Sequence, residues 1–497
     1  MAATPRVLAL LAAVLVAPAA VPRRPATVPS PPRVTVAEGT LEGAVDSASG
    51  VIVFRGVPYA APPTGRLRWR PPQPAAHWRG VRSATALGHN CMQTRVYSDI
   101  DAFAAGVSED CLYLNVWTSS LGGAAPAAGR PVMVWIHGGG FFAGFGGEER
   151  HDGARLAQKG AVVVTVNYRL GPLGFLAHPA LAAESPHHAS GNYGLMDQMA
   201  ALRWVRRNAA RFGGDPSRIT VFGESAGGMS VGTLVASPLA KGLFQRAILE
   251  SGTGIGIGVQ RRDSAEARGE RYAAVLGVTG RGAKAAAALR ALSADTLLAG
   301  MAMAAKRDSS GRGSGLSFSP VVDGWVLPHP VDSAIARGAA NVVPVIVGSN
   351  ADEPGEVFGA PSRSFARLIT ARRGGRAYLY QFTRAGEDSA SRARGAYHSA
   401  EITFVFGRPR PLLENAGHAA YDSTLAEAMS DYWVSFATSG DPNGPPNAGR
   451  LPAWPAYDSA TDSYLELGPT VVAKQGLRKA QYDSLDVVGR GRGEIRP

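Results

Sequence analysis

Residues 219–228 read Ile-Thr-Val-Phe-Gly-Glu-Ser-Ala-Gly-Gly, a short apolar, β-prone run that leads into a serine with flanking glycines. The pattern Gly-x-Ser-x-Gly is typical of a sharp turn between a strand and a helix, and a helix-compatible run follows from Gly228. Such a turn projects the serine oxygen at the carboxyl end of the strand, beside a helix N-terminus that favours negative charge. We therefore predict that Ser225 is a nucleophile; the alternative is a glycine turn that contains a serine by chance.

Short runs rich in Val and Ile recur on both sides of this stretch and predict a buried sheet. They occupy residues 51–54, 132–136, 162–166, 219–222, 247–249, 343–347 and 378–382. The clearest helical pattern, at 195–212, ends before the glycine-proline turn at 213–216. Strands that alternate with helices indicate an α/β fold, in which a mostly parallel sheet is covered by helices on both faces.

The alternation of strands and helices predicts that residues 34–490 form one large domain with long insertions. Residues 261–307 are rich in Ala and Arg and predict helices, whereas 308–315 (DSSGRGSG) predict a loop. The full chain has 497 residues, of which 45% are hydrophobic and 18% charged. This composition supports a sizeable core and excludes wholesale disorder.

The charge and cysteine content exclude other classes of protein. The net charge is +12, but the cations are mostly arginines scattered singly or in pairs, with no nucleic-acid-binding motif among them. Two cysteines are too few for a multi-cysteine zinc or iron–sulfur site. We therefore expect no nucleic-acid partner and no metal.

The N-terminus predicts a secretory signal peptide over residues 1–20. Arg6 precedes an apolar run at 7–16, and small residues follow at 17–20. The run is too short for a comfortable transmembrane helix, although an uncleaved anchor is the alternative, and no later segment is long and apolar enough to span a membrane. Residues 21–33 are Pro-rich and predict an extended tether. The sequence thus predicts a secreted or periplasmic protein without stable membrane insertion.

A second glycine-rich motif follows the predicted strand at 132–136 and reads His-Gly-Gly-Gly from His137. Consecutive glycines leave backbone N–H groups unshielded, as is needed to bind the oxyanion of a tetrahedral intermediate. We predict that the N–H groups of Gly139 and Gly140, together with that of Ala226 after the nucleophile, form an oxyanion hole. A flexible surface loop is the alternative.

With these motifs the chain resembles the type-B carboxylesterases, the family that includes the cholinesterases. The matching stretches extend from about residue 34 to about residue 454. They include FRGVPYA at 54–60, EDCLYLNVW at 109–117, the glycine loop at 137–141, NYR at 167–169, GNYGL at 191–195 and GESAGG at 223–228. The resemblance implies the α/β-hydrolase fold, hydrolysis of small-molecule carboxylic esters through an acyl-enzyme, and no cofactor.

The resemblance also points to the histidine of a triad, because α/β-hydrolases present Ser, acid and His in that chain order. His398 lies in GAYHSAE at 395–401, which is similar to the histidine loop of the family. His418 lies in a helical pattern and the pair at 187–188 lies in a turn, so both predict surface positions. We predict that His398 is the general base.

The triad acid is expected after the predicted strand at 343–347, where Asp352-Glu353 follows. In the family the Glu of this pair is the acid, so the resemblance implies Glu353. Asp352 stays an alternative on chemistry alone, since either carboxylate could orient an imidazole. For Glu224, next to the nucleophile, the resemblance implies a supporting electrostatic role; a buried hydrogen-bonded carboxylate is the alternative.

Cys91 and Cys111 are expected to form one disulfide if the chain is exported. In the family this loop borders the active-site gorge, and the cholinesterases place a Trp there for a quaternary ammonium. The loop here has no Trp, so choline esters are not expected to be preferred substrates.

The resemblance implies two structural ion pairs, Arg68 with Glu109 and Arg169 with Asp197. An arginine can bridge a carboxylate through two hydrogen bonds and so tie loops together. The alternative for each pair is two ordinary solvated charges.

One interval departs from the family. His398 follows Glu353 by 45 positions, several dozen fewer than in close relatives, and Pro354 stands where relatives usually have Gly. We expect the lost residues to come from the wall of the site. This would leave the triad able to assemble and the site more open and wetter.

Together these observations predict a serine carboxylesterase that acts on small to medium uncharged esters. A lipase and a carbamate hydrolase are alternatives within the enzyme class. The alternative of another class is a non-catalytic binding protein with a degenerate site, against which the intact Ser225, His398 and glycine loop argue.

Overall fold

The computed structural model describes residues 30–97, 100, 105–122, 129–307, 318–409 and 417–485. The chain divides into two compact units, 1–31 and 32–497, and only Ser30 and Pro31 of the first are described. The predicted signal peptide, most of the predicted tether and the predicted loop at 308–315 lie outside the described residues. The tether prediction extends one residue too far, because Arg33 is already the first residue of a strand that pairs with residues 39–42.

Eighteen strands form in the described part of the chain. They are β1 (Arg33–Val36), β2 (Gly39–Glu42), β3 (Ala44–Val45), β4 (Ile52–Pro58), β5 (Val81–Ser83), β6 (Asn90–Cys91), β7 (Val107–Ser108), β8 (Tyr113–Thr118), β9 (Arg130–Ile136), β10 (Val162–Val166), β11 (Gly214–Glu224), β12 (Arg246–Glu250), β13 (Gln260–Arg261), β14 (Val321–Val322), β15 (Val345–Asn350), β16 (Ala377–Phe382), β17 (Tyr464–Leu467) and β18 (Val471–Lys474). All seven predicted strand runs correspond to strands of this list.

Helices connect many of these strands within the described residues. They are α1 (Ala154–Gln158), α2 (Gly171–Phe175), α3 (Pro179–Ala182), α4 (Tyr193–Asn208), α5 (Ala226–Ala236), α6 (Arg262–Val275), α7 (Ala283–Ala291), α8 (Ala294–Arg307), α9 (Val331–Ala336), α10 (Gly359–Thr370), α11 (Ser389–Arg394), α12 (Ile402–Val405) and α13 (Asp422–Ser439). Across the described ranges no single helix is both long and apolar enough to cross a membrane; α7 and the first part of α8 meet that requirement only as a pair bent by 104°.

The main sheet has eleven strands within the described residues, in the order β18-β17-β16-β15-β12-β11-β9-β10-β8-β4-β3. From β17 to β10 the neighbouring strands are parallel. At the two edges β18, β8, β4 and β3 pair antiparallel. The predicted mostly parallel sheet is therefore confirmed, and the antiparallel edges extend it. Parallel strands end at one edge of the sheet, so the loops that follow β9, β11, β15 and β16 meet there.

The central strands are buried on both faces, which explains why they read as continuous apolar runs. Along β9 the side chains of Val132, Val134 and Ile136 enter one hydrophobic cluster, while Met133 and Trp135 enter another. Helices α4, α5 and α10 supply residues to the first cluster, and α12 and α13 to the second. Helices thus cover both faces, as the alternation of strands and helices predicts.

The helix predicted at 195–212 corresponds to α4 followed by a 3-10 turn at Ala209–Phe212. It ends at Gly213, whose φ of 77° is the left-handed conformation that stops a helix. The predicted helical region at 261–307 divides into α6, α7 and α8.

Candidate active site

Ser225 lies in the turn between β11 and α5 and has a strained backbone, with φ 54° and ψ −121°. A non-glycine residue in such a conformation costs about 1–3 kcal/mol, which the surrounding structure must supply. The flanking glycines are needed on steric grounds. A Cβ at Gly223 would lie 2.5 Å from the carbonyl oxygen of Ile136, and one at Gly227 closer still. The Ser225 N–H donates to the carbonyl of Glu250 at 2.8 Å, which holds the turn against β12.

His398 and Glu353 complete a chain of contacts that begins at Ser225. Nε2 of His398 lies 2.9 Å from Oγ of Ser225, and Nδ1 lies 2.5 Å from Oε1 of Glu353. Glu353 follows β15, and His398 follows the neighbouring strand β16 and helix α11. The sheet therefore brings together residues that are 45 and 173 positions apart.

The structure distinguishes Glu353 from the neighbouring Asp352. The Oδ2 atom of Asp352 accepts a hydrogen bond from the backbone N–H of Ala396 at 2.7 Å, so this carboxylate braces the loop before the histidine. Glu353 contacts the imidazole itself, and its other oxygen accepts from the Asn350 N–H at 2.8 Å and from Ser251 Oγ at 3.0 Å. Of the two acids, only Glu353 is hydrogen-bonded to His398.

The other histidines considered lie elsewhere. His187 is exposed and stacks on Trp325, with ring centroids 4.0 Å apart, and His188 is also exposed. The carbonyl of His418 accepts from the Glu387 N–H in a surface loop. Neither position contacts Ser225 among the hydrogen bonds of the described residues.

Two further contacts orient the imidazole. Phe358 stacks on His398 with ring centroids 4.6 Å apart, and Oε1 of Glu224 lies 3.3 Å from Nε2. The same Glu224 oxygen accepts from Ser399 Oγ at 2.6 Å. The side chain of His398 remains 38% exposed.

Buried carboxyl groups dominate the electrostatics around His398. Burial acts against its charged form, but the negative field of Glu224, Glu353 and Glu401 outweighs this and raises the pKa of His398 to about 10. Burial and the neighbouring acids also raise the pKa of Glu401 to about 8, and burial raises that of Glu224. Sequence analysis missed Glu401, although it lies in the histidine loop; its oxygens accept from Asn350 Nδ2 at 2.6 Å and Ser251 Oγ at 3.4 Å.

The glycine loop lies beside the nucleophile. Gly139 and Gly140 have φ angles of 96° and 65°, which favour glycine. The carbonyl of Gly139 accepts from the N–H groups of Phe142 and Ala143 at 3.1 and 2.9 Å, which closes the loop on itself. Ala226 is the first residue of α5, where backbone N–H groups have no helical acceptor.

Two cavities open on Ser225. The first, of about 280 Å³, is lined by Ser225, His398, Glu224 and the loop at 138–140, with Arg150 and His151 also in the lining. The second, of about 390 Å³, is lined by Ser225 with Ala226, Met229, Ile257, Gln260, Arg268 and Ser319. Gly140 borders both cavities.

The two cysteines and the two predicted ion pairs lie close to one another. Cys91 and Cys111 form a disulfide. Arg68 contacts Glu109 through two hydrogen bonds of 2.6 and 2.5 Å, and Arg169 contacts Asp197 through two of 2.7 Å. Both arginines, Glu109 and both cysteines line one small cavity of about 10 Å³. All four predicted charges are therefore paired, and the Arg68–Glu109 pair holds the disulfide loop at Glu109.

No group of three or more potential metal ligands occurs in the part of the chain that the structure describes. The residues gathered here can instead polarise a serine hydroxyl and surround a developing oxyanion with N–H groups. This arrangement defines a class of protein, the serine hydrolases of the α/β type.

Comparisons with known proteins place the chain within that class. The profile of the carboxylesterase family matches residues 30–358 and 355–485. The chain is 37% identical to the fumonisin B1 esterase of Sphingopyxis macrogoltabida, over 88% of this chain and 87% of that protein. It is 35% identical to the para-nitrobenzyl esterase of Bacillus subtilis, over 87% and 94%. A solved carboxylesterase from Geobacillus stearothermophilus superposes with a TM-score of 0.78 at 32% identity, covering 91% of this chain and 99% of that one.

The chain belongs to the carboxylesterase family and has its α/β-hydrolase fold. It is a hydrolase of carboxylic esters.

Proposed function

We propose that the protein cleaves esters by nucleophilic catalysis at Ser225, with His398 as general base and Glu353 as the residue that orients it. The observation that carries this proposal is the unbroken chain of contacts from Ser225 Oγ to His398 Nε2 at 2.9 Å and from His398 Nδ1 to Glu353 at 2.5 Å. Both distances are within hydrogen-bonding reach, which is the first requirement for proton transfer.

In the acylation step, Ser225 Oγ attacks the ester carbonyl carbon while its proton passes to His398 Nε2. Glu353 accepts a hydrogen bond from the Nδ1–H group of His398, which fixes the tautomer of the ring and stabilises the imidazolium. Glu224, 3.3 Å from Nε2, adds to this field. The raised pKa of His398 expresses the same stabilisation of the charged ring.

The negative charge that develops on the carbonyl oxygen is bound by the N–H groups of Gly139, Gly140 and Ala226. The support for this role is their position, since Gly140 borders both cavities at Ser225 and Ala226 begins helix α5. Collapse of the intermediate transfers the imidazolium proton to the departing alkoxide and leaves an acyl-serine. Water, deprotonated by His398, then attacks the acyl carbon, and the carboxylic acid leaves as Ser225 regains its proton.

The mechanism assigns the two cavities to the two halves of the ester. The leaving alkoxide takes its proton from His398, so the alcohol half occupies the cavity of about 280 Å³ that His398 lines. The acyl half then extends into the cavity of about 390 Å³ beyond Ala226 and Met229. Volumes of this size favour small to medium esters over long-chain lipids, and we propose uncharged esters as the substrates.

We also propose that the protein is exported, with residues 1–20 removed as a signal peptide. The disulfide between Cys91 and Cys111 supports this proposal, because such bonds persist in oxidising compartments. N-terminal sequencing of the protein recovered outside the cytoplasm is expected to begin near residue 21. Non-reducing peptide mapping should link the two cysteines, and two free thiols in exported material would contradict the proposal.

A fluorophosphonate probe tests the catalytic assignment. It reacts with an activated serine, so the wild-type protein is expected to label once, at Ser225, and Ser225→Ala not at all. A non-catalytic binding protein would not label in either form. A panel of p-nitrophenyl esters of increasing acyl length then tests the substrate class. Turnover should decline beyond medium chains, whereas a lipase would prefer the longest, and a carbamate hydrolase would prefer the matching carbamate.

A further inference from the structure

The acid loop, residues 351–358, links strand β15 to helix α10 and contacts His398 at two points. Oε1 of Glu353 lies 2.5 Å from Nδ1 of the imidazole, and the Phe358 ring stacks on the imidazole with centroids 4.6 Å apart. Phe358 is also the residue directly before α10, so the start of this helix and the stacked ring move together. Whatever holds the acid loop and the first turn of α10 therefore also sets the position of the imidazole.

The ring of Tyr482, from the C-terminal part of the chain, packs against this loop and this turn. A Cβ atom at Gly355 would lie 3.2 Å from Cε1 of the ring, and one at Gly359 would overlap its hydroxyl oxygen. Glycine at position 359 thus permits the close approach of the ring. Tyr482 is 1% exposed and belongs to the same hydrophobic cluster as Ala360, against which Phe358 also packs.

Charged groups hold the C-terminal segment, residues 477–485, at two further places. Arg478 donates a hydrogen bond to the Ala351 carbonyl at the start of the acid loop. Arg363 of α10 is fully buried, and its Nη2 atom lies 2.8 Å from Oδ1 of Asp483. The guanidinium carbon of the same arginine lies 5.5 Å from the centre of the tyrosine ring, within the range of a cation–π contact. The C-terminal segment is therefore attached both to the acid loop and to α10.

We infer that Tyr482 is a positioning residue that acts on the imidazole of His398 through the acid loop. Other described residues line the two cavities at Ser225, so the tyrosine acts by restraining the backbone that carries Glu353 and Phe358. The inference rests on the proposed function, because it concerns the placement of the general base in that mechanism. A small displacement of a catalytic group lowers the rate of the chemical step more than it lowers the affinity for substrate.

The test compares Tyr482→Leu, which removes the aromatic ring, with Tyr482→Phe, which keeps it. Initial rates with p-nitrophenyl butyrate over a range of concentrations separate kcat from KM. In Tyr482→Leu, kcat should fall by roughly ten- to a hundredfold, while KM should change by less than about threefold. Tyr482→Phe should restore kcat to near the wild-type value, because the ring still fills the space beside the acid loop.

The pH–rate profile is a readout that a loss of stability alone would not move. Glu353 is one of the acids that raise the pKa of His398, together with Glu224 and Glu401. Loosening the acid loop weakens the contribution of Glu353, so the neutral imidazole forms at lower pH. The rising limb of kcat/KM should therefore move to lower pH in Tyr482→Leu and stay in place in Tyr482→Phe.

Two further variants separate positioning from stability. Tyr432→Leu removes another buried ring, which packs on Trp454 with centroids 5.3 Å apart and whose hydroxyl donates to the Pro452 carbonyl at 2.6 Å. This variant should lower the thermal midpoint, as Tyr482→Leu does, but leave kcat and the pH–rate profile unchanged. Arg478→Met removes only a hydrogen bond on the surface, so it should stay folded. It should change kcat and the profile in the same direction as Tyr482→Leu, by a smaller amount.

Three results would overturn the inference. The first is a wild-type kcat and pH–rate profile in Tyr482→Leu, and the second is the same profile shift in Tyr432→Leu, which would reveal general loosening. If Tyr482→Leu does not fold, wild-type kinetics in Arg478→Met are the third. Failure of the proposed function would look different, because the wild-type enzyme would then neither hydrolyse the ester nor label with the fluorophosphonate probe.

Discussion

Buried charges beside the disulfide loop are matched one to one. Arg68 meets Glu109, and Arg169 meets Asp197, each through two hydrogen bonds. Asp197 is fully buried, and it accepts a third hydrogen bond from the backbone N–H of Arg169 at 3.1 Å. Pairs of this geometry hold a loop in place and leave little net charge behind.

Buried charges behind Ser225 are not matched in this way. Glu224 and Glu353 both contact the single imidazole of His398, and burial leaves these acids with little solvent to screen them. The excess of negative charge raises the pKa of the ring.

The contrast shows what each region is built for. A cluster with matched charges is stabilised by neutralisation, whereas an excess of acids stabilises the protonated form of the imidazole beside it. The two regions should therefore respond to mutation in different observables, with activity lost in one and stability in the other.

The largest effect is expected from Ser225→Ala. It removes the nucleophile, so kcat for a p-nitrophenyl ester should fall by on the order of 10⁶. The thermal midpoint should not fall, because the Ser225 side chain holds no structural contact beyond His398 among the described residues. A variant that keeps a tenth of the wild-type activity would remove Ser225 from its role.

Glu353→Gln should cause the second-largest loss of activity. The amide keeps the size of the side chain but can favour the wrong imidazole tautomer, so kcat should fall by roughly 10⁴. Asp352→Asn is the matched control, because the new side chain can still accept from the Ala396 N–H. If Asp352→Asn is the more damaging of the two in steady-state assays, the acid assignment passes to Asp352.

In the matched region, Asp197→Asn should cost stability. It leaves the buried Arg169 without a counter-charge, so the free energy of unfolding should fall by about 3–5 kcal/mol in urea titrations. Glu270→Gln is the control. Glu270 accepts two similar hydrogen bonds from Arg281, but this pair is exposed to solvent, so the variant should lose far less stability than Asp197→Asn. Equal losses in the two variants would show that burial does not distinguish these pairs.

The smallest effect is a displacement along the pH axis. His398 accepts the serine proton only when neutral, and its raised pKa shifts the neutral form to higher pH, so kcat/KM should keep rising above neutral pH. Glu224→Gln removes a carboxylate that raises this pKa. The rising limb should therefore move to lower pH in the variant, as measured from pH–rate profiles. A limb that stays in place would show that Glu224 does not contribute to this field.

Local patterns predicted the centre of the fold better than its edges. The apolar runs at 132–136, 162–166 and 378–382 became strands because burial on both faces demands continuous apolar sequence. The edge strands β17 and β18 and the long helix α13 escaped prediction. Their placement depends on packing against the finished sheet and on pairing between segments with a weaker local signal.

Within the candidate site, the sequence by itself was enough to predict the positions of Ser225 and of the loop at 137–141. Each is a short motif whose backbone requirements are local, since glycine alone fits the close approach and the left-handed φ angles. The order of Ser, acid and His also followed from the family pattern. These features need no knowledge of which distant segments become neighbours.

Only the tertiary structure distinguished Asp352 from Glu353, because the two acids are adjacent in the chain and Asp352 meets the backbone at Ala396 whereas Glu353 meets the imidazole of His398. It also brought Ser251 within hydrogen-bonding distance of both Glu353 and Glu401. Each of these positions depends on the closing of the sheet, which converts separations of tens to hundreds of residues into hydrogen-bond distances. The spacing of residues along the chain does not predict which side chains meet, because the direction of a side chain is set by the elements packed around it.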